Sequence, residues 1–439
     1  MASVVTSLHW GLPLTVNPLR IHITNMEAAL STSTTMSPST TNGGTSSFAK
    51  TCFHGVNGIS GIGIVSIPFA LASGGWLSIV FLFMISIAAC YTGLLIKRCM
   101  DKDSTIESLP DIGQRAFGDK GRLLVNIAMN CELYLVITGY LILEGDNLNK
   151  LISHFHVDIG GLRITGTQFF VLLSALIILP TVWLEDLGKL LSYVSATGAL
   201  ASIIFLCSLL WNGTIDGTKL HSKGVLFNWK GVPAAVSLYA FCYSSHPVFP
   251  SLYTSMKNKH QFSNVLLVCF TLCTLVYAAT AVLGYLMFGS EVESEITLNL
   301  PKEKLSSKVA IYTTLVNPIT KYALMLRPIV DAVKSVLPNH YNKRHKLTHV
   351  VVSSILLIST VVVALTVPFF GYLMSLVGAL LSVSASFLVP SVCYLKISGT
   401  YKKLGCEMII NYSIFFVGTA IAAFGTYTSL LQIIKHLKL

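Results

Sequence analysis

One recurrence constrains this chain more than any other feature. From Phe48 almost to the last residue, apolar stretches of about 20 residues follow one another, each long enough to cross a hydrocarbon core as a helix. In lipid the backbone must satisfy its own polar groups, so such a chain folds as a bundle of membrane helices. Composition agrees: 53% of the 439 residues are hydrophobic and only 11% are charged. A soluble domain carries about 25% charge, and this shortage cannot cover a water-facing surface.

Breaks at Gly, Pro and charge divide the apolar sequence into eleven spans, at 47–71, 76–99, 122–150, 164–183, 189–212, 231–254, 261–288, 306–337, 346–367, 369–396 and 408–434. The expected fold is an all-α membrane protein of about eleven transmembrane helices, embedded in membrane lipid. Residues 1–46 differ, because Ser, Thr, Asn and Gly crowd the run Ser31 to Ser47. They read as a disordered cytoplasmic tail ahead of a polytopic domain over 47–437. No signal peptide is expected, and Met26 is a second candidate start.

The net charge of +11 is spread through short connections instead of forming one basic patch, which argues against a nucleic-acid partner. If the amino terminus is cytoplasmic, that side gains Lys97, Arg98, Lys102, Arg115, Lys120, Arg122, Lys257, Lys259, Lys343, Arg344, Lys346, Lys396, Lys402 and Lys403. The other side gains Glu291, Glu293 and Glu295, so the positive-inside rule places the amino terminus in the cytoplasm and the carboxyl terminus opposite. The triplet Asn212-Gly213-Thr214 then falls on the non-cytoplasmic face, making Asn212 a glycosylation candidate; Asn411 is expected to be unmodified. The ten cysteines show no C-x-x-C pair or metal-ligand spacing, and neither a metal nor a cofactor is expected. They read as small core residues.

Two spans cannot be continuous helices. The first contains Asn57-Gly58-Ile59-Ser60-Gly61-Ile62-Gly63 followed by Pro68; the sixth contains Tyr243-Ser244-Ser245-His246-Pro247-Val248-Phe249-Pro250. These are the leading helices of two five-helix halves, and interruptions at corresponding positions point to a substrate site in an inverted-repeat transporter. Half-helix amino ends suit a carboxylate and half-helix carboxyl ends suit an ammonium group, so a zwitterionic amino acid matches both. The candidate substrate-binding residues are Gly58, Ser60, Gly61, Gly63, Tyr243, Ser244 and Ser245. The glycines have a second reading as close contacts between helices; breaks in both spans favour the site.

The titratable candidates for coupling are His54, His246, Glu132 and Lys321. Each has a structural alternative: the histidines as neutral rings holding freed carbonyls, Glu132 as half of an ion pair, and Lys321 as a side chain snorkelling to the membrane surface. Thr313, Asn317 and Thr320 are expected along the pathway, with Arg327 nearer the cytoplasmic surface. Lys189, beside Glu185 and Asp186, reads as an interfacial anchor, and Tyr134, Tyr239 and Phe241 are candidates for shaping the pocket. No phosphate loop or nucleophile motif is present, so no enzyme is expected.

Ser60-Gly61-Ile62-Gly63-Ile64-Val65-Ser66-Ile67-Pro68-Phe69-Ala70 with Gly74-Gly75-Trp76, and His246-Pro247-Val248-Phe249-Pro250-Ser251-Leu252-Tyr253 with Met256, resemble the amino acid/auxin permease family. Within it they resemble the plant vacuolar amino-acid transporter group, abbreviated AVT. The resemblance covers about 47–437 and implies a LeuT-like five-plus-five inverted repeat plus one extra helix. It also implies secondary transport of mainly neutral amino acids, driven by a proton gradient, at the vacuolar or plasma membrane. His54 stands where some proton-coupled animal relatives place a coupling histidine. An auxin-like carboxylate importer and a non-transporting amino-acid receptor are the alternatives, and the oligomeric state is not legible.

Overall fold

The computed structural model describes residues 44–152, 156–159, 162–184, 188–215, 224–338, 345–402 and 405–437. The tail expected over 1–46 falls outside the described residues as far as residue 43, as do Glu185, Asp186 and the side chain of Lys189.

The first span is two helices, α1 (Phe48–Ile59) and α2 (Ile67–Gly74), joined by a 3-10 turn over Ile62–Val65. Spans two to five follow as α3 (Ile79–Lys102), α4 (Leu109–Leu151), α5 (Gly166–Val182) and α6 (Gly188–Thr214). The second half repeats the pattern. A broken pair, α7 (Val232–Cys242) and α8 (Phe249–Ser255), is followed by α9 (Phe262–Phe288), α10 (Leu305–Val336) and α11 (His345–Thr366). The tenth span runs from α12 (Phe370–Val377) through two π-helical turns into α13 (Val389–Ser398), and α14 (Cys406–Leu437) is the eleventh. One departure from an all-α chain is a small antiparallel hairpin, β1 (His156–Ile159) with β2 (Leu162–Thr165), ahead of α5.

Six of these elements are long and apolar enough to cross a membrane unaided: the helical runs Trp76–Lys102, Leu109–Leu151, Lys259–Glu291, Lys346–Thr366, Phe370–Ser398 and Cys406–Leu437. The broken spans fall short because each half is only a few turns long. Helix α10 loses apolarity through Thr313, Thr314, Asn317 and Lys321. Large apolar side chains such as Ile87, Leu176, Leu267, Ile358 and Phe416 point outward, while Glu132, Lys321 and many hydroxyls are buried. That is the inverse of a soluble surface and suits a bundle wrapped in lipid.

The breaks have local causes. Ser60 leaves helical geometry with ψ 79°, and Pro68 sits in the first turn of α2, where its missing N–H has no intrahelical role. Pro247 and Pro250 likewise open new helical turns instead of kinking a continuous one. In α4, Gly118 adopts φ 69°, separating a short arm at Leu109 from the spanning stretch.

The two broken helices run antiparallel and are stitched at both ends. At one end the Ser46 amide donates to the Ser255 carbonyl at 2.9 Å, and the Lys257 amide donates to the Ser46 carbonyl at 3.0 Å. At the other, the Asn228 amide donates to the Gly74 carbonyl at 3.0 Å and the Trp76 amide to the Val225 carbonyl at 3.1 Å. Helices α4 and α6 pack on α10, α9 packs on α1, and α14 packs on α7 and α12.

Candidate functional site

At the first break the backbone is left open. The amides of Ile62 and Gly63 have no protein acceptor among the described residues, whereas Ser60 N–H returns to the Val56 carbonyl at 2.7 Å and Gly61 N–H to the Ile59 carbonyl at 2.9 Å. A Cβ built on Gly61 meets nothing within 4 Å. Gly63 differs, since a Cβ there would lie 2.6 Å from the Cys242 sulfur, so this glycine lets the two breaks approach. Gly58 has ordinary room, its nearest neighbour being Val248 Cγ1 at 4.0 Å.

The space beside Gly61 is a narrow, open-mouthed cleft lined by Gly61, Ile62, Ile64 and Val65 of the break, Ala201, Ser202 and Phe205 of α6, and Thr313, Thr314 and Asn317 of α10. Its walls therefore come from spans one, five and eight. Ser60 and Ser202 join hydroxyls across the first break and α6. Thr320 faces elsewhere and bonds back to its own helix at Val316 and Asn317.

The second break is closed and interlocked. Tyr243, Ser245 and His246 are buried. Glu132 of α4 accepts from Ser244 at 2.7 Å and from Ser382 of the π-helical stretch at 2.6 Å, with Ser386 donating to Ser244 at 3.3 Å. The expected carboxylate thus sits at the sixth-span break, with hydroxyls as its partners. Tyr243 donates to Thr274 at 2.9 Å. His246 Nε2 lies 3.0 Å from the Ala89 carbonyl and 2.9 Å from the Thr92 hydroxyl. A carbonyl only accepts, so Nε2 carries the hydrogen and the ring pins this break to α3.

Lys321 Nζ reaches the Asn57 carbonyl in the last turn of α1 at 3.5 Å, placing an ammonium where that half-helix exposes its negative end. Tyr277 of α9 reaches both breaks, with its hydroxyl 2.7 Å from the Ile59 carbonyl and 3.3 Å from that of Cys242. His54 is half-buried one turn before Gly58 and does not line the cleft. Tyr134 bonds to Ser359 and Tyr239 contacts Ser78, so the cleft is shaped by other side chains. Arg327 pairs with Asp331 at 3.1 Å.

Asn212 does not fit the glycosylation expectation. Its side chain is 0% exposed, its amide donates to Ser306 at 2.7 Å and its carbonyl oxygen accepts from Ser307 at 3.0 Å, so no free acceptor nitrogen is presented.

Sequence reasoning missed Ser202, Thr314, Tyr277, Ser382 and the buried His349 of α11. Ser382 and Ser386, four apart beside Gly378, carry a readable signal as a polar stripe on one helix face. Ser202 and Tyr277 lie in largely apolar spans, and Thr314 sits beside the named Thr313 without a signal of its own. Among the described residues no group of three or more His, Cys, Asp or Glu is placed to hold a metal ion.

Known proteins share this arrangement. Residues 44–431 match the family described as "Transmembrane amino acid transporter protein". Amino acid transporter AVT1I of Arabidopsis thaliana is 55% identical over 393 residues, covering 90% of this chain and 96% of that protein. Amino acid transporter AVT1J of the same plant is 55% identical over 395 residues (89% and 92%), and AVT1B is 44% identical over 392 (89% and 72%). A solved Na+-coupled sialic acid symporter in a substrate-bound outward-open state aligns with a TM-score of 0.53 at 11% identity, covering 94% of this chain and 97% of that one. At that identity the likeness concerns the fold alone. On the family match and on relatives at 55% identity, the chain belongs to the transmembrane amino acid transporter family.

Proposed function

We infer that this protein is a proton-coupled secondary transporter of neutral amino acids, with its substrate at the break of the first span. The observation that carries the reading is the pair of unpaired amides at Ile62 and Gly63, beside a Gly61 with open space in front of it. They offer a carboxylate two donors and the positive end of a short helical turn. Ser202, Thr314 and Asn317 on the facing walls supply oxygens for the ammonium group, and Ile64, Val65 and Phe205 an apolar surface for a neutral side chain. The cleft is narrow and open on one side in this conformation, so a substrate enters it only as the helices around Gly61 move apart.

Glu132 is the proposed proton carrier. It touches the second break through Ser244, so its charge state bears on how that break packs. Lys321 supplies a fixed positive charge at the carboxyl end of α1, which supports coupling without sodium. His54 and His246 remain secondary candidates, His246 being held as a structural pin. The basic connections favour a cytoplasmic amino terminus, and the family resemblance favours the vacuolar membrane.

The test is uptake by proteoliposomes of labelled neutral amino acids beside an auxin-type indole carboxylate that lacks the ammonium group. Uptake of the amino acids and not of the indole acid is expected. Preference for the indole acid would move the protein to the carboxylate-importer reading, and binding without flux would make it a receptor.

A further inference from the structure

At the end of the bundle opposite Ser46, two carboxyl groups are buried and a third is half-buried near them. Glu144 and Glu295 are 0% exposed, and Asp146, partly exposed, acts on Glu295 through its charge. Glu295 belongs to the connection between α9 and α10, just before its 3-10 turn at Ile296–Leu298. Asn147 of α4 donates to Glu295 Oε2 at 2.6 Å and to the Leu143 carbonyl at 2.9 Å, which fixes the connection over the end of α4. Neither oxygen of Glu144 has a hydrogen-bond partner among the described residues, and Glu295 Oε1 has none. The charges that act on Glu295 are those of Asp146 and Glu144, and the charge that acts on Asp146 is that of Glu293.

A buried carboxylate short of donors and cations is costly enough that the group takes a proton instead. Glu144 has no donor among the described residues, Glu295 has one from Asn147 and Asp146 one from Thr167 of α5. Carboxyls that act on one another titrate as a unit. We propose that Glu144, Asp146 and Glu295 form a proton-binding site that holds the 289–300 connection closed over α4 when the compartment at that end is acidic. Burial, then the charges of Asp146 and Glu144, keep the Glu295 carboxyl well above the usual carboxylate range. The closed connection is therefore most stable at acid pH and weakens as pH rises and the protons leave. Other charged or titratable groups of this end are Lys150 on α4, Glu291, Glu293, Lys302, Glu303 and Lys304 in the connection, and Lys308 on α10. Among the described residues of this end is also Tyr372 of α12, with the His436 ring of α14 stacked on it at 5.0 Å. That this end faces the vacuolar lumen rests on the orientation proposed above.

Amide hydrogen exchange of the purified full-length protein tests this without requiring transport. Protection of residues 289–300, corrected for intrinsic exchange, is expected to fall about tenfold or more between roughly pH 5.5 and pH 8. In Glu295→Gln and in Glu144→Gln, whose amides mimic the protonated acids, protection is expected to change far less. Wild-type protection that ignores pH overturns the proposal whether or not the variants fold, and so does an unchanged pH dependence in both variants. A pH-dependent connection in a protein that moves no amino acid would refute the transport reading and leave this site standing.

Discussion

Tyr277 donates its hydroxyl hydrogen to the Ile59 carbonyl at 2.7 Å, and the same hydroxyl lies 3.3 Å from the Cys242 carbonyl. One group on an unbroken helix thus serves the carboxyl ends of both half-helices that lead into the breaks. Tyr277→Phe leaves these buried carbonyls short of a donor, at a cost of about 1–3 kcal/mol. We expect a lower melting temperature and an uptake rate reduced about tenfold, because the breaks lose their shared reference point. Thermal melts and initial-rate uptake check this; wild-type values in both would show that the tie is idle.

The glycines of the first break are expected to respond differently to the same methyl group. Gly61→Ala places its Cβ in open space and should leave folding near wild type, while the methyl takes part of the carboxylate's room and should lower uptake. Gly61→Leu should fill the cleft and abolish uptake by a correctly inserted protein. Gly63→Ala drives a methyl against the Cys242 sulfur, 2.6 Å from the ideal Cβ position, and should destabilise by about 1–3 kcal/mol. Paired melting and uptake measurements separate these outcomes, and equal effects of the two alanines would contradict the account.

Much of this architecture is legible in the sequence because its causes are local. Apolar runs set the spans to within a few residues, as with 261–288 expected and Phe262–Phe288 observed. Gly61 and Pro247 interrupt helices through their own backbone chemistry, so the breaks can be read without tertiary knowledge. The cleft walls can be read only in part. Thr313 and Asn317, expected along the pathway, line the cleft, whereas nothing in the sequence singles out Ser202 and Thr314, whose facing Gly61 follows from helix packing alone. The partnership of Glu132 with Ser382 spans 250 residues and exists only through packing. Asn212 shows the converse: a short surface motif on a residue that the fold buries against α10.

The proposed orientation rests on the basic connections and the odd number of spans. A tag appended at Leu439 should be protected from protease added to the cytoplasmic face, while one at Met1 should be cleaved. Cleavage of the carboxyl-terminal tag from the cytoplasm would require one span fewer or one more.

The most direct test of the central claim is amino-acid uptake by sodium-free proteoliposomes under an imposed pH gradient, for wild type and Glu132→Gln. The account predicts accumulation that a protonophore abolishes, and a Glu132→Gln protein that exchanges substrate across the membrane but no longer accumulates it against a gradient. Uptake that ignores the pH gradient and requires sodium would contradict it.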